Sequence, residues 1–223
     1  MTIGIAFVFI AFAMILGLFA QSRVQSTYRK WSGFRARSGI TGREAAQYVL
    51  DAAGVTGVEI SSTQGHLTDH YDPTRKRLVL SEENYYGNSL AALGVAAHEA
   101  GHAIQHSTGY AMLKARMAMV PLVGFANNML MIVMFGGFFF GIMGLAKLGF
   151  FAYLAITAFN LVTLPVEFDA SRRAKLALVD TGILQGEEIN GVRSTLDAAA
   201  LTYVAAFVGS LSWLLYFFVA SRD

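Results

Sequence analysis

Four long apolar runs divide this chain: residues 2–20, 117–144, 148–166 and 196–220. Each comes close to or exceeds the ~20 residues that a helix needs to cross a ~30 Å hydrocarbon core. Only Lys147 and a glycine-rich link, GIMGLAKLG, separate the second run from the third, which predicts a helical hairpin of two spans. Asn127, Asn128 and Asn160 within that hairpin are expected to hydrogen-bond between helices. Two polar stretches remain, 21–116 and 167–195. The pattern predicts a mainly α polytopic membrane protein with about four transmembrane helices and a small α+β cytoplasmic domain.

The periodicity changes inside the first polar stretch. Residues 41–53 open with Thr41-Gly-Arg-Glu44, a capping box, and Ala45, Tyr48, Val49 and Ala52 supply one apolar face. Gly54 ends that helix. Val58 to Ile60 alternates as a strand does, and Leu67–Tyr71 and Lys76–Leu80 flank the turn sequence Asp72-Pro-Thr-Arg75. A two- or three-stranded hairpin sheet follows from this. Residues 88–108 then read as a helix capped by Asn88 or Ser89 and filled with Ala and Leu.

Composition sharpens the membrane reading. The chain is 55% hydrophobic and only 14% charged, beyond the soluble balance. It has no cysteine, so a metal would have to be held by His, Asp or Glu. Net charge is +2, and its distribution matters more than its size. Segment 21–117 holds 11 of the 17 Lys and Arg, and 167–195 holds 4 more. Positive-inside places both segments in the cytoplasm and both termini outside. A cleaved signal peptide would need a basic region before the first apolar run, and only Met1 and Thr2 precede it. The basic residues that follow, Arg23 to Arg37, abut a span. They suit anionic lipid headgroups rather than nucleic acid.

The chemistry sits in the predicted helix 88–108, which contains His98-Glu99-Ala100-Gly101-His102, an HExxH motif. Residues i and i+4 share a helix face, so the two imidazoles point to one spot, as a Zn²⁺ site requires. Glu99 projects beside them, placed to act as a general base on water without ligating the metal. This is the zincin arrangement, and a small sheet beside the helix is its usual frame. An incidental pair of His on an apolar helix would be costly to bury unpaired. His106 continues the series but lies about 12 Å along the axis from His98, too far to share one metal. The metzincin pattern would need Gly at 105 and His at 108, where this chain has Gln105 and Thr108.

A catalytic zinc takes three protein ligands. Acids available on the same side are Glu167, Asp169, Asp180, Glu187, Glu188 and Asp197. Glu167 is favoured, since it follows Leu164-Pro-Val166 at the inner end of the third span, close to the span that the HExxH helix enters. The competing assignment pairs Glu167 and Asp169 with Arg172 and Arg173. Asp69 and His70 are further candidates, and Asp72 is expected to cap its own turn.

The stretches LTDHYDP (67–73), LGVAAHEAGHAIQH (93–106), LPVEFDAS (164–171) and AALTYVAA (199–206) resemble the bacterial YugP-type membrane zinc metallopeptidases. More distantly the chain is similar to the membrane gluzincins of the HtpX and CAAX-prenyl-protease type, which pair HExxH with a Glu ligand in a downstream ExxxD motif. The resemblance implies one Zn²⁺ per chain on His98, His102 and Glu167, with Glu99 as catalytic base. The chain departs from the pattern at 171, where Ser171 replaces the Asp that orients a zinc-bound His. Asp169 lies about 200° around the helix from Glu167 and cannot simply replace it. Ser171, or a carboxylate from elsewhere such as Asp69, would then orient the histidine, and Asp169 stays an alternative ligand.

The function expected is a zinc endopeptidase of the plasma or inner membrane, working at the cytoplasmic face on membrane or membrane-proximal proteins. Tyr203 is the candidate donor to the oxyanion; otherwise it belongs to an aromatic belt. The partners implied are the bilayer and a protein or peptide substrate. Two rivals are a membrane scaffold with a structural metal and a hydrolase of non-peptide amides.

Overall fold

The structure, a computed structural model, describes residues 3–140 and 145–222. Its elements in chain order are α1 (Ile3–Ser32), α2 (Gly42–Ala52), β1 (Glu59–Thr63), β2 (His70–Asp72), β3 (Arg77–Ser81), α3 (Glu82–Tyr86), α4 (Leu90–Ser107), α5 (Ala111–Phe140), α6 (Leu145–Asp180) and α7 (Glu188–Ala220). The described part is mainly helical, with one small sheet. Among the described residues, four helices are long and apolar enough to cross a membrane: α1, α5 over Ala111–Val133, α6 and α7. The part of the predicted link at 141–144 lies outside the described residues.

The chain forms two compact units. One takes the described residues of 3–21, 114–165 and 201–222. Its helices are joined by apolar and aromatic contacts, including Tyr153 stacked on Trp213. Asn160 donates from Nδ2 to Ser210 Oγ (3.0 Å) and to the Ala206 carbonyl (3.3 Å), an α6–α7 bridge of the kind expected between spans.

The second unit is Ser22–Leu113 with Val166–Ala200. Its sheet has the order β1-β3-β2. β2 and β3 form the antiparallel hairpin, and β1 lies parallel on the other side of β3. Asp72 caps the hairpin turn by accepting from the Thr74 and Arg75 amides (2.8 and 3.1 Å). Central β3 buries Leu78 and Leu80 in one core with the apolar faces of α2 and α4, while Val79 is buried on the opposite face of the strand. The capping box of α2 is formed in full: Thr41 Oγ1 accepts from the Glu44 amide, and the Glu44 carboxylate accepts from the Thr41 amide. Ser89 caps α4 by accepting from the Ala92 amide.

Two features depart from the sequence reading. The hairpin strand is shorter than Leu67–Tyr71 implies. Asp69 leaves the strand to accept from the Ser81 amide and hydroxyl and from Asn84 Nδ2, which ties the loop to the short helix α3. The polar stretch after residue 166 is also largely helical. α6 continues unbroken to Asp180, and α7 begins at Glu188. Ala170, Ala174 and Leu178 extend an apolar stripe along α6 that packs in the same core as α4, so tertiary burial sustains the helix.

Candidate metal centre

α4 supplies two of the converging side chains. His98 and His102 lie one turn apart with ring centroids 4.8 Å from each other. α6 supplies the third, Glu167, whose side chain is only 2% exposed. Glu167 Oε2 lies 3.2 Å from His98 Nε2 and 3.5 Å from His102 Nε2. These three residues each offer a ligand atom, all within 4.8 Å of one another. Zinc bonds of about 2.0–2.1 Å in tetrahedral directions place neighbouring ligand atoms about 3.3–3.4 Å apart. The two oxygen–nitrogen spacings come close to that value, and two imidazoles with a carboxylate are a donor set that zinc takes. Three donors also leave one coordination position open. Glu99, the motif's remaining polar residue, is buried on α4.

A glycine permits the two helices to approach. A Cβ at Gly101 would lie 2.6 Å from the carbonyl oxygen of Ala170. Gly101 is inside the HExxH motif, and Ala170 lies three residues beyond Glu167. The absent side chain is thus what lets α6 bring its carboxylate to the histidines.

A second set of contacts holds the imidazoles from behind. Ser171 Oγ is 3.1 Å from His98 Nδ1. Residues 167 and 171 share one face of α6, so the position where an orienting Asp would stand does reach His98, with a hydroxyl instead of a carboxylate. His102 Nδ1 faces Gln105 Oε1 at 3.1 Å. Gln105 Nε2 donates to the Val166 carbonyl (2.7 Å) and to Asp169 Oδ2 (3.0 Å). Asp169 in turn accepts from Arg172 and Arg173.

The sequence profile of a family described as "Putative neutral zinc metallopeptidase" matches residues 6–222. The chain belongs to that family. It is also 45% identical over 221 residues to the "Putative membrane protease YugP" of Bacillus subtilis (strain 168), covering 97% of this chain and 98% of the relative. No solved structure matches it. The resemblance to YugP-type metallopeptidases is thereby established, and the family implies that the metal of the His-His-Glu group is zinc.

Asp169, Asp69, His70 and His106 have partners of their own. Asp169 is turned into its arginine pair and is not one of the three converging residues. Asp69 serves the α3 loop, and His70 is exposed, with Nδ1 2.9 Å from the Thr68 carbonyl. His106 sits at the end of α4 with Nδ1 3.0 Å from the Tyr71 hydroxyl. Tyr203 is half-buried on α7, in the unit of apolar spans. Gln105 entered the sequence reading only as a departure from the metzincin pattern. Its spacing of three from His102 was the available signal, because i and i+3 are neighbours on a helix.

Burial opposes charge on His102, but its hydrogen bond to Glu167 and the nearby Glu99 and Glu167 carboxylates outweigh this. The ring of the metal-free protein therefore holds its proton above the ordinary imidazole value. A metal has to displace that proton from Nε2, so zinc binding should strengthen from pH 6 to pH 8 with release of protons. Competition titrations against a chelator at the two pH values check this. Affinity that does not change with pH would contradict it.

Proposed function

We propose that the protein is a zinc endopeptidase that hydrolyses peptide bonds of membrane or membrane-proximal proteins. Its zinc would be held by His98 Nε2, His102 Nε2 and the Glu167 carboxylate. Zinc bound there supplies Lewis acidity, lowering the pKa of a water toward ~7 and polarising a scissile carbonyl. Glu99 takes the proton from the attacking water and later delivers it to the leaving amine. Gln105 and Ser171 keep the imidazoles oriented through their Nδ1 atoms. The Tyr203 hydroxyl is the proposed donor to the developing oxyanion.

The single observation that carries the reading is the convergence of His98, His102 and Glu167, with Glu99 buried on the same helix. A purely structural metal has no need of a base in that position. The distribution of Lys and Arg supports a cytoplasmic placement for segments 21–116 and 167–195, and so for the active site. The segmentation that goes with it has spans at 2–20, 117–144, 148–166 and 196–220.

Elemental analysis of the purified protein tests the ligand set. Wild type should carry about one zinc per chain, and Glu167→Ala, left with two protein ligands, should lose most of it. Full zinc in Glu167→Ala would remove Glu167 from the site. Absence of zinc from wild type after metal supplementation would favour a scaffold.

A further inference from the structure

Gln105 is a fully buried carboxamide at the inner edge of the metal centre. Its three polar contacts determine which way it must face. Nε2 lies 2.7 Å from the Val166 carbonyl and 3.0 Å from Asp169 Oδ2. A carbonyl can only accept, and an Asp169 carboxylate gripped by Arg172 and Arg173 is ionised and also only accepts. Both need a donated hydrogen, and only the NH₂ end of the amide has hydrogens to give. Reversing the amide would set its oxygen against two acceptors in a buried site, at the cost of unmade hydrogen bonds. Oε1 is therefore committed to His102 Nδ1 at 3.1 Å, where it can only accept.

The consequence passes to the metal ligand. His102 Nδ1 must carry a hydrogen whether the ring is neutral or charged. The neutral ring then has its lone pair on Nε2, the atom that faces Glu167. Ser171 imposes no such rule on His98, because a hydroxyl can donate or accept. The same amide also fastens α4 to α6 at Val166 and Asp169, on either side of Glu167 along the chain. Asp169, anchored by two guanidinium groups, polarises it.

We infer that Gln105 is a positioning residue for the metal site. It holds His102 in the Nδ1–H tautomer and sets the position of the Glu167 helix, so that one amide aligns a ligand from each helix. The inference rests on the zinc reading above.

Zinc affinity by chelator competition, and the visible spectrum of the Co²⁺-substituted full-length protein, test it in detergent. Gln105→Leu and the unbranched Gln105→Met keep the volume and remove the hydrogen bonds. Loss of such an outer contact typically weakens metal binding 10–100-fold. We expect a loss in that range in the folded variants, together with an altered Co²⁺ ligand-field band. Gln105→Glu keeps an acceptor for Nδ1–H but sets its second oxygen against the Val166 carbonyl and Asp169, so its affinity should fall between those of the apolar variants and wild type. A lowered melting temperature with wild-type zinc affinity and Co²⁺ spectrum would overturn the inference, leaving Gln105 a packing residue. Should the apolar variants not fold, ¹⁵N-histidine spectra of zinc-free wild type, recorded at a pH high enough to neutralise the ring, decide it, with neutral His102 required to show protonated Nδ1 and bare Nε2. The reverse tautomer refutes the inference. His98→Ala, run in parallel, separates the two ideas. Zinc binding that survives His98→Ala sinks the zinc site itself. Binding lost there but undiminished in the Gln105 variants sinks only the role of Gln105.

Discussion

Glu99→Gln is expected to retain about one zinc per chain and to lower peptide hydrolysis by about 10²–10⁴-fold, the usual contribution of a positioned acid–base group. The substitution is nearly isosteric, so the packing of α4 is preserved. Glu99 is not among the three converging ligands, so the metal should stay. What is lost is the ability to take a proton from water and return it, since an amide does neither at neutral pH. The measurement is cleavage of an unfolded, fluorescently labelled protein by purified wild type and variant, beside their zinc contents. Unchanged cleavage with zinc present would remove Glu99 from catalysis. Loss of zinc together with activity would instead make Glu99 part of the metal site.

Gly101→Ala is expected to destabilise the protein and weaken zinc binding, although Ala is the better helix former by about 1 kcal/mol. Its Cβ would lie 2.6 Å from the Ala170 carbonyl oxygen, and a backbone atom cannot swing aside as a side chain can. α6 must move away or α4 must bend, and overpacking of this kind costs about 1–3 kcal/mol. The same displacement draws Glu167, one turn back on α6, away from the histidines. Gly101→Leu should go further and leave the two helices without their close contact. Thermal unfolding and zinc content, measured together, check both variants. A more stable Gly101→Ala with full zinc would show that the helices have room to spare.

The two predictions read different depths of information. Glu99 was legible in the sequence because HExxH is a local pattern: five residues on one helix, with spacing dictated by 3.6 residues per turn. The capping box at Thr41 and Glu44 and the turn cap at Asp72 were legible for the same reason, each being settled within four residues. The four candidate spans follow from length and apolarity alone. Nothing within α4 distinguishes Gly101, since the nearness of Ala170 is invisible from its own helix.

Local chemistry along the chain was thus enough to specify the HExxH helix, the apolar helices and the metal chemistry that two histidines and a glutamate allow. Those features depend on contacts between near neighbours and on the solvent each segment prefers. Tertiary structure alone shows which of Glu167 and Asp169, two residues apart on one helix, converges on the histidines. Their side chains diverge by about 200°, and only the packing of α6 on α4 shows which faces the histidines and which faces Arg172 and Arg173. It likewise placed Ser171 behind His98 and set the Val166 carbonyl and Asp169 against Gln105. The orientation of a ligand depends on groups some 70 residues away in the chain, which no local pattern can bring together.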